Sequence, residues 1–461
     1  MTDKTQTESK GTRDGTKRPR RVLIECTYTC LFGGNTGIQR VVRNICNSSR
    51  EIAQTMGLQS TPVVYEAGGF YEMDRVPTRP FPTNSTKVYL KNVYYHFRNL
   101  IYAVLPFQPV LRFLFPPKGC FGLNSILRAP ARLVSFLSRS HKGSQAVERV
   151  PIEFGEGDVI VLLDSSWHID LWHALANAKR NGAKVVVAIY DLIPLTHSWF
   201  CVPGHIRNFK TWLEKACRYA DAFLAISQTV GKDLKAYLRA DPFLHGAAEK
   251  PSDFFHLGAD LSTPESASAV RKKLQKAFSS PSGPKTYLTI GTIEPRKNHP
   301  LLLGAFDKVW QHCADVKLCL VGVKGWSSEE VWYRIRRHPL YNRQLFTFSD
   351  LTDTELSYCY EHARALVYPS AIEGFGLPLV EALHHRLPAF ASDIPIFREV
   401  GGEYCVFFGL GSSDRLAELI IDFEKNGRLP AHKSPETFTW PGWRESCTTF
   451  LRKAAELCTE S

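Results

Sequence analysis

The stretch "RVLIECTYTCLFGGNTGIQRVVRNI", residues 21–45, combines the patterns of a strand, a glycine loop and a helix. The apolar run 21–28 is typical of a buried strand, and "TCLFGGNTG" (29–37) indicates a loop. Apolar side chains then recur at helical spacing, with arginines on the opposite face. This order predicts the start of a Rossmann-type unit, in which the helix N-terminus holds phosphate through free backbone N–H groups and the helix dipole.

Seven more apolar runs continue this pattern along the chain, with helix-like stretches between them. Three precede a segment rich in Pro, Gly and Ala (238–262), and four follow it: 158–164, 184–191, 221–227, 285–292, 316–322, 365–370 and 387–392. Near-continuous apolar strands suit a parallel sheet that is covered on both faces. The sequence therefore predicts an α/β protein with two doubly wound, Rossmann-like parallel-sheet domains, since 461 residues are too many for one ordinary core.

The predicted organisation has four parts. Residues 1–20 form a basic flexible tail, 21–250 the first domain, 251–435 the second domain, and 436–461 a terminal helix that braces the domains. Ligands of such folds bind beyond the carboxyl ends of the strands.

The basic charge of the chain is concentrated in one segment. The net charge is +12, and residues 75–147 contain eleven Lys and Arg but no Asp or Glu. Arginines alternate there with Tyr, Phe and Leu, which predicts an interfacial segment attracted to an anionic membrane surface. The alternative is a basic helical insertion that packs on its own domain. No stretch of this segment reaches the ~20 apolar residues that a membrane span needs.

The cysteines and the N-terminus indicate where the protein works. The twelve cysteines are scattered, without a C-x-x-C pair or a His/Cys cluster at zinc spacing. The first 21 residues are polar and basic and have no apolar core of a signal peptide. We expect a cytoplasmic protein with reduced thiols, peripheral on the inner face of the cytoplasmic membrane.

Two cations lie between a predicted strand and a predicted helix. The stretch "GTIEPRKNHPLLLGAF" (291–306) contains Arg296 and Lys297 at this junction. They could clamp a diphosphate, or form a surface charge pair in an ordinary loop, and this stretch alone does not decide between the two.

Two glutamates flank a glycine turn in "AIEGFGLPLVEALHHRLPAF" (371–390). Glu381 follows Pro378 in the first turns of a helix, where a carboxylate gains from the dipole. That reason does not apply to Glu373, which precedes the helix and stands beside glycines that let backbone approach a ligand. A loop carboxylate and a helix carboxylate could bind two sets of hydroxyls, as on a sugar and a ribose. Together with the cation pair they indicate a sugar-nucleotide site.

The sequence "EGFGLPLVE" (373–381), with "GTIEPRKN" upstream and "TGIQRVVRNI" near the start, resembles the retaining glycosyltransferase family 4, which has the GT-B fold. The resemblance covers residues 21–75 and 150–461. "LLDSSW" and "YDLIPLTH" add similarity to bacterial mannosyl- and rhamnosyltransferases that build surface polysaccharides. The resemblance implies that the first domain binds the acceptor and that the second domain binds the sugar nucleotide. It also implies that the two domains face a central cleft.

The resemblance also assigns roles to residues of this chain. Glu373 matches the glutamate that contacts the donor sugar at the reaction centre, and Lys297 with Arg296 matches the basic pair that stabilises the leaving diphosphate. These three are the predicted catalytic residues. The predicted donor-binding residues are Glu381 on the ribose hydroxyls, the turn formed by Gly374, Phe375, Gly376 and Leu377, Gly37 in the first loop, and Asp191.

Three positions depart from the family pattern. Thr292 follows Gly291 where many members have an arginine, so Arg296 takes over that work. Tyr190 precedes Asp191 in place of a histidine, with His197 as a candidate substitute. Arg386 replaces a glycine, which we interpret as a loop adjustment.

The predicted reaction needs neither a metal nor a cofactor, because no Asp-x-Asp motif occurs in the chain and the two cations can stabilise the diphosphate. The resemblance favours GDP-mannose as donor and a polyprenyl-diphosphate-linked or glycan acceptor, with retention of configuration. No nucleic-acid-binding motif accompanies the basic charge. The alternatives are a sugar-nucleotide epimerase, a nucleic-acid-binding protein and a catalytically inactive glycosyltransferase-like subunit.

Overall fold

The computed structural model describes residues 21–34, 36–77, 150–261, 270–280, 283 and 285–458. The tail 1–20 and residues 78–147 of the predicted basic insertion lie outside this part of the chain. Within it the strands form two sheets, one of seven strands and one of six. Both sheets have helices on their faces, so the predicted α/β architecture is confirmed.

The first sheet has the strand order β3-β2-β1-β4-β5-β6-β7. Every neighbouring pair is parallel except β2 and β3. The order reverses between β1 and β4, which is where open α/β sheets leave a crevice for ligands. The strands are β1 Arg21–Glu25, β2 Gln59–Glu66, β3 Gly69–Glu72, β4 Asp158–Leu162, β5 Lys184–Ile189, β6 Ala222–Ala225 and β7 Ser252–Phe254.

The second sheet is entirely parallel and has the order β10-β9-β8-β11-β12-β13. Its order reverses between β8 and β11, so a second crevice lies at their carboxyl ends. Its central strands are almost completely buried, as the apolar runs predict. The strands are β8 Thr286–Ile290, β9 Lys317–Val321, β10 Leu345–Phe348, β11 Ala365–Tyr368, β12 Ala389–Ser392 and β13 Cys405–Phe408.

The α-helices follow the strands in alternation. Their bounds are α1 Thr27–Phe32, α2 Gly37–Thr55, α3 Trp172–Arg180, α4 Ile193–Thr196, α5 Pro203–Tyr219, α6 Gln228–Ala240, α7 Lys272–Phe278, α8 His299–His312, α9 Glu329–Arg337, α10 Asp353–His362, α11 Leu377–His384, α12 Pro395–Gly401, α13 Ser413–Asn426 and α14 Trp443–Glu456. Short 3₁₀ turns lie at Ser166–His168, Ser198–Phe200, His245–Glu249, Pro295–Lys297, Gly402–Tyr404 and Pro435–Thr437. None of the described helices is long and apolar enough to cross a bilayer.

The region after β1 differs from the prediction of a long strand and a loop. The strand ends at Glu25, and Thr27–Phe32 is a short helix. Two carboxylates accept hydrogen bonds from its first N–H groups: Glu25 Oε1 from Thr27 (2.8 Å) and Asp164 Oδ2 from Thr29 (2.6 Å). Asp164 comes from the loop after β4, so the group that stabilises this helix is distant in the sequence.

The predicted boundary between residues 250 and 251 is too early. Strand β7 pairs in parallel with β6, because residues 252–254 complete the edge of the first sheet. The helix α14 then returns to the first domain. Its Lys453 Nζ donates to Asp253 Oδ1 (2.8 Å), and its Ser446 hydroxyl donates to the carbonyl of His256 (2.6 Å).

Candidate active site

Glu373 lies in the loop between β11 and α11, at the carboxyl edge of the second sheet. Its Oε1 accepts a hydrogen bond from Lys297 Nζ, and its Oε2 accepts one from Arg296 Nη1. The Tyr368 hydroxyl, at the end of β11, lies 3.3 Å from Oε1. The structure therefore brings together the three residues that the sequence predicts to be catalytic.

The charges around Glu373 keep it ionised. Burial by itself raises the pKa of Glu373, but the charges of Arg296 and Lys297 outweigh it and bring the pKa down to about 2. Burial lowers the pKa of Lys297, and the Glu373 charge opposes that effect. The carboxylate and its cations thus form a network in which each charge depends on its partners.

Glu294 completes this network, although sequence reasoning did not single it out. Its Oε1 lies 2.5 Å from Arg296 Nε, and its side chain is almost fully buried. Lys297 Nζ also donates to the Tyr368 hydroxyl, at 2.9 Å. The only signal for Glu294 in the sequence was its position in "GTIEPRKN", two residues before Arg296. Two carboxylates and two cations therefore balance in charge at this sheet edge.

Gly374 contacts the first domain. A Cβ at this position would lie 2.1 Å from the carbonyl oxygen of Tyr190 and 3.1 Å from Cβ of Asp191. The Ser227 hydroxyl donates to the Gly374 carbonyl at 3.2 Å. The sequence suggested that this glycine lets backbone approach a ligand, whereas here it lets the backbones of the two domains approach each other.

The rest of the glycine turn is shaped for the start of α11. Gly376 precedes the helix with φ +97°, and a Cβ there would lie 2.7 Å from the Phe397 ring. Phe375 is buried, with its ring 6.1 Å from that of Trp440. Leu377 is buried as the first residue of α11. The side chains of Phe375 and Leu377 therefore pack inside the protein.

Glu381 lies inside α11 with only 1% of its side chain exposed. Its Oε2 accepts a hydrogen bond from the Tyr360 hydroxyl (2.7 Å), and its Oε1 lies 2.6 Å from Arg40 Nη1. Tyr360 belongs to the second domain, but Arg40 comes from α2 of the first. The sequence marked neither as a partner of Glu381.

The remaining predicted positions lie on the first domain's side of the cleft. A Cβ on Gly37 would lie 4.0 Å from Cδ1 of Leu377, so the start of α2 faces the start of α11. Asp191 Oδ1 accepts a hydrogen bond from the N–H of Ile193 (3.0 Å), and burial raises its pKa while Arg296 opposes that rise. His197 Nδ1 forms a hydrogen bond with the hydroxyl of Thr196 (2.9 Å).

The described residues contain no group of three or more His, Cys, Asp or Glu side chains with the arrangement of a metal site. What they do contain is a cation pair, a carboxylate and a glycine turn at a helix start, on the switch point of a parallel sheet. Such a set suits an anionic ligand that also carries hydroxyl groups.

Comparison with known families identifies the domain that carries this set. Residues 270–438 match the family described as glycosyl transferases group 1. We call residues 270–438 the group 1 domain, after the family that they match. The group 1 domain includes all six strands of the second sheet, Arg296, Lys297 and both glutamates of the turn.

The curated relatives extend the similarity beyond the group 1 domain. The serotype-specific mannosyltransferase WbdA of Escherichia coli is 29% identical over 307 residues, which are 66% of this chain and 37% of that protein. The O-antigen chain mannosyltransferase RfbU of Salmonella typhimurium is 49% identical over 250 residues, which are 51% of this chain and 64% of RfbU. The chain thus spans about two fifths of the length of WbdA.

Solved structures show the same two-domain GT-B fold. A TarM variant of S. aureus superposes with a TM-score of 0.54 at 12% identity and covers 96% of this chain and 100% of its own. Sucrose-phosphate synthase of Thermosynechococcus elongatus has a TM-score of 0.53 at 13% identity, with 96% and 98% covered. At this identity the likeness concerns the fold alone.

Proposed function

We propose that the protein is a retaining glycosyltransferase that moves mannose from GDP-mannose to a lipid-linked or polysaccharide acceptor in the synthesis of a bacterial surface polysaccharide. The observation that carries the proposal is the contact of Glu373 with both Arg296 and Lys297 beside the glycine turn of the group 1 domain. The similarity to a serotype-specific mannosyltransferase and to an O-antigen chain mannosyltransferase supports mannose as the sugar.

The two cations are suited to stabilise a leaving diphosphate. Lys297 has three N–H donors, of which Tyr368 and Glu373 accept two. Among the described residues, Arg296 contacts its partners through Nε and Nη1, so that Nη2 is left for a ligand. Fixed cations aimed at developing charge lower the barrier without reorganisation. In this proposal they take the place of a metal ion.

Glu373 has two roles in the proposed reaction. It holds both cations in position and neutralises them before the donor binds. With a pKa of about 2 it stays anionic at neutral pH, so it can accept a hydrogen bond from a sugar hydroxyl or stabilise oxocarbenium character, but it does not act as a general acid there.

The decisive experiment measures nucleotide release from a panel of sugar nucleotides, with purified protein, bacterial membranes and EDTA. We expect turnover of GDP-mannose that survives EDTA. The variants Glu373→Gln and Lys297→Ala should lose at least about 10²-fold in kcat. Lys308→Ala is the matched control, because Lys308 is a lysine of α8 whose side chain is 41% exposed and pairs with Asp414 of α13.

The outcomes of this assay separate the alternatives. Loss of turnover with EDTA would contradict metal independence, and turnover of another donor would replace mannose. Isomerisation of the sugar nucleotide without an acceptor would indicate an epimerase. Nucleotide binding without turnover on any membrane fraction would favour an inactive subunit.

Contact with an anionic membrane surface is also part of the proposal, and it rests on the composition of residues 75–147. These residues carry eleven positive and no negative side chains. We expect the protein to float with vesicles that contain anionic lipid and not with neutral vesicles, and raised salt should release it. Protein that stays unbound with both vesicle types would contradict this part of the proposal.

A further inference from the structure

Arg40 reaches from the first domain into the donor side of the cleft. Helix α2 begins at Gly37, and a capping box of Thr36 and Gln39 stabilises its first turn. Arg40 follows directly and places Nη1 2.6 Å from Glu381 Oε1 on α11. This contact joins the first turn of one domain's helix to the helix that carries the predicted ribose ligand.

The contact covers Glu381. The side chains of Arg40 and Glu381 are 14% and 1% exposed, and the Tyr360 hydroxyl occupies the other carboxylate oxygen. Burial lowers the pKa of Arg40, but the Glu381 charge reverses that effect and raises it overall, so the guanidinium stays charged. A ligand can reach the Glu381 carboxylate only when the atoms that cover it move, and the Arg40 guanidinium is one of the covering groups.

A buried ion pair is a costly way to hold two domains together. Apolar side chains of similar volume usually pack an interface at least as stably, because an ion pair loses hydration at both partners. What an ion pair offers is exchange, since a ligand can give each partner hydrogen bonds or an opposite charge in place of those that it loses. The donor of the proposed reaction carries both kinds of replacement, ribose hydroxyls for Glu381 and phosphates for Arg40.

We propose that Arg40 is a donor-binding residue supplied by the first domain, and that donor binding transfers its guanidinium from Glu381 to the diphosphate. The inference rests on the proposed function, because it needs a donor with a ribose and phosphates. A guanidinium binds phosphate through paired N–H donors, as it binds a carboxylate. Its position one turn after Gly37 keeps it at the N-terminal end of α2, where the helix dipole also favours an anion.

The exchange has a specific consequence for affinity. With Arg40 present, the diphosphate gains a cation, but the ribose must displace the Arg40 guanidinium from Glu381. Without Arg40, the ribose finds Glu381 free but the diphosphate lacks its cation. Removal of the guanidinium should therefore lower the affinity for a nucleoside diphosphate and leave the affinity for the bare nucleoside equal or higher.

The test compares the dissociation constants of GDP and guanosine, and of UDP and uridine, by calorimetry. We expect Arg40→Gln to reduce the preference for diphosphate over nucleoside by at least about tenfold. Arg40→Lys should retain part of this preference. Arg50→Gln is the matched control, because Arg50 is an exposed arginine of the same helix that pairs with Glu72.

A second variant tests whether weaker binding results from misfolding. Arg40→Gln alone leaves Glu381 buried without its cation, whereas Arg40→Gln with Glu381→Gln leaves no unpaired charge. We expect the double variant to melt near the wild-type temperature and to bind both the nucleoside and the diphosphate weakly. A double variant that binds the nucleoside as the single variant does would contradict the role of Glu381 in the exchange.

The results distinguish the inference from the proposed function. Wild-type protein that binds neither GDP nor UDP contradicts both. Wild-type protein that binds one of them, together with an Arg40→Gln variant that weakens nucleoside and diphosphate equally or changes neither, overturns the role of Arg40 alone. In that case Arg40 serves only to pack the domain interface.

Discussion

Glu399 of the second domain accepts hydrogen bonds from both the backbone N–H (2.7 Å) and the hydroxyl (2.6 Å) of Thr229 in the first domain. The N–H of Gln228 and the ring of His256 add two further contacts, each at 2.8 Å. One carboxylate therefore caps helix α6 across the interface. Burial raises the pKa of Glu399, but hydrogen bonds from His256 and Thr229 bring it down to about 2.

Glu399→Gln should loosen the interface between the domains. A glutamine has only one acceptor oxygen and turns its NH₂ group toward donors, so several contacts at the start of α6 are lost. We expect faster amide hydrogen exchange in the first turn of α6 while the strands of both sheets keep their protection. Glu403→Gln is the control, because Glu403 is exposed and pairs only with Lys433 among the described residues. Unchanged exchange in α6 would contradict the capping role.

Gly374→Ala should prevent the described approach of the two domains. The added methyl group would overlap the Tyr190 carbonyl oxygen, which is backbone and cannot rotate away. We expect a larger radius of gyration by X-ray scattering and a loss of about 10²-fold in kcat, because misplacement of about 1 Å has an effect of that size. Gly409→Ala is the matched control, since a Cβ at Gly409 meets no atom within 4 Å. A Gly374→Ala variant with both properties unchanged would show that turnover does not require this contact.

Glu373→Gln should change the pH dependence of stability. The pKa of Glu373 falls from 4.5 to about 2 in the folded protein, so its contribution is present above pH 4.5 and lost as the pH falls toward 2. From the size of the shift this contribution is about 3 kcal/mol. Melting temperatures measured between pH 3 and pH 7 should drop at the acid end in the wild-type protein, and the variant should be less stable at pH 7 and depend less on pH. Parallel melting curves for the two proteins would contradict the ion-pair network.

Glu25→Gln should stabilise the protein in alkaline solution. Burial and the neighbouring Asp164 raise the pKa of Glu25 from 4.5 to about 8. The folded state therefore holds a proton on Glu25 that the unfolded state releases. The contribution of Glu25 to stability is fully present below pH 4.5 and is lost as the pH rises through 8.

A glutamine keeps the acceptor for Thr27 N–H without the charge. We expect the Glu25→Gln variant to melt at least about 3 °C above the wild type at pH 8.5 and close to it at pH 5. A difference of the same size at both pH values would indicate a packing effect in place of a titration.

Most of the secondary structure was predictable because it depends on local pattern. The eight apolar runs correspond to strands of the two sheets, and Thr352 and Glu355, three positions apart, form the capping box that starts helix α10. The strands β2, β3, β7, β10 and β13 and the helix α1 were not predicted, and for two of these elements a group distant in the sequence decides. Helix α1 was missed because Asp164 supplies part of its cap. Strand β7 was missed because its pairing with β6 has no local signal, so residues 252–254 fell in the predicted second domain.

Arg386 shows how a substitution can be misjudged from the sequence. The resemblance to family 4 implies a glycine at this position, so the sequence alone predicts a loop adjustment. The residue does have the left-handed backbone that favours glycine, with φ 61°. Its guanidinium also donates to the carbonyls of Pro435 and Phe438, so it anchors the segment that leads to α14. Only the folded chain brings that segment within reach.

The sequence by itself determined that two parallel sheets form, and that a carboxylate, a glycine turn and two cations meet at the edge of the second sheet. Strand periodicity and the shared carboxyl edge of parallel strands are enough for this, since every part belongs to one domain. The tertiary structure alone decided that Arg40 covers Glu381 and that Gly374 lies against Tyr190. These contacts join residues of different domains, and they depend on how closely the domains approach, which no local pattern encodes.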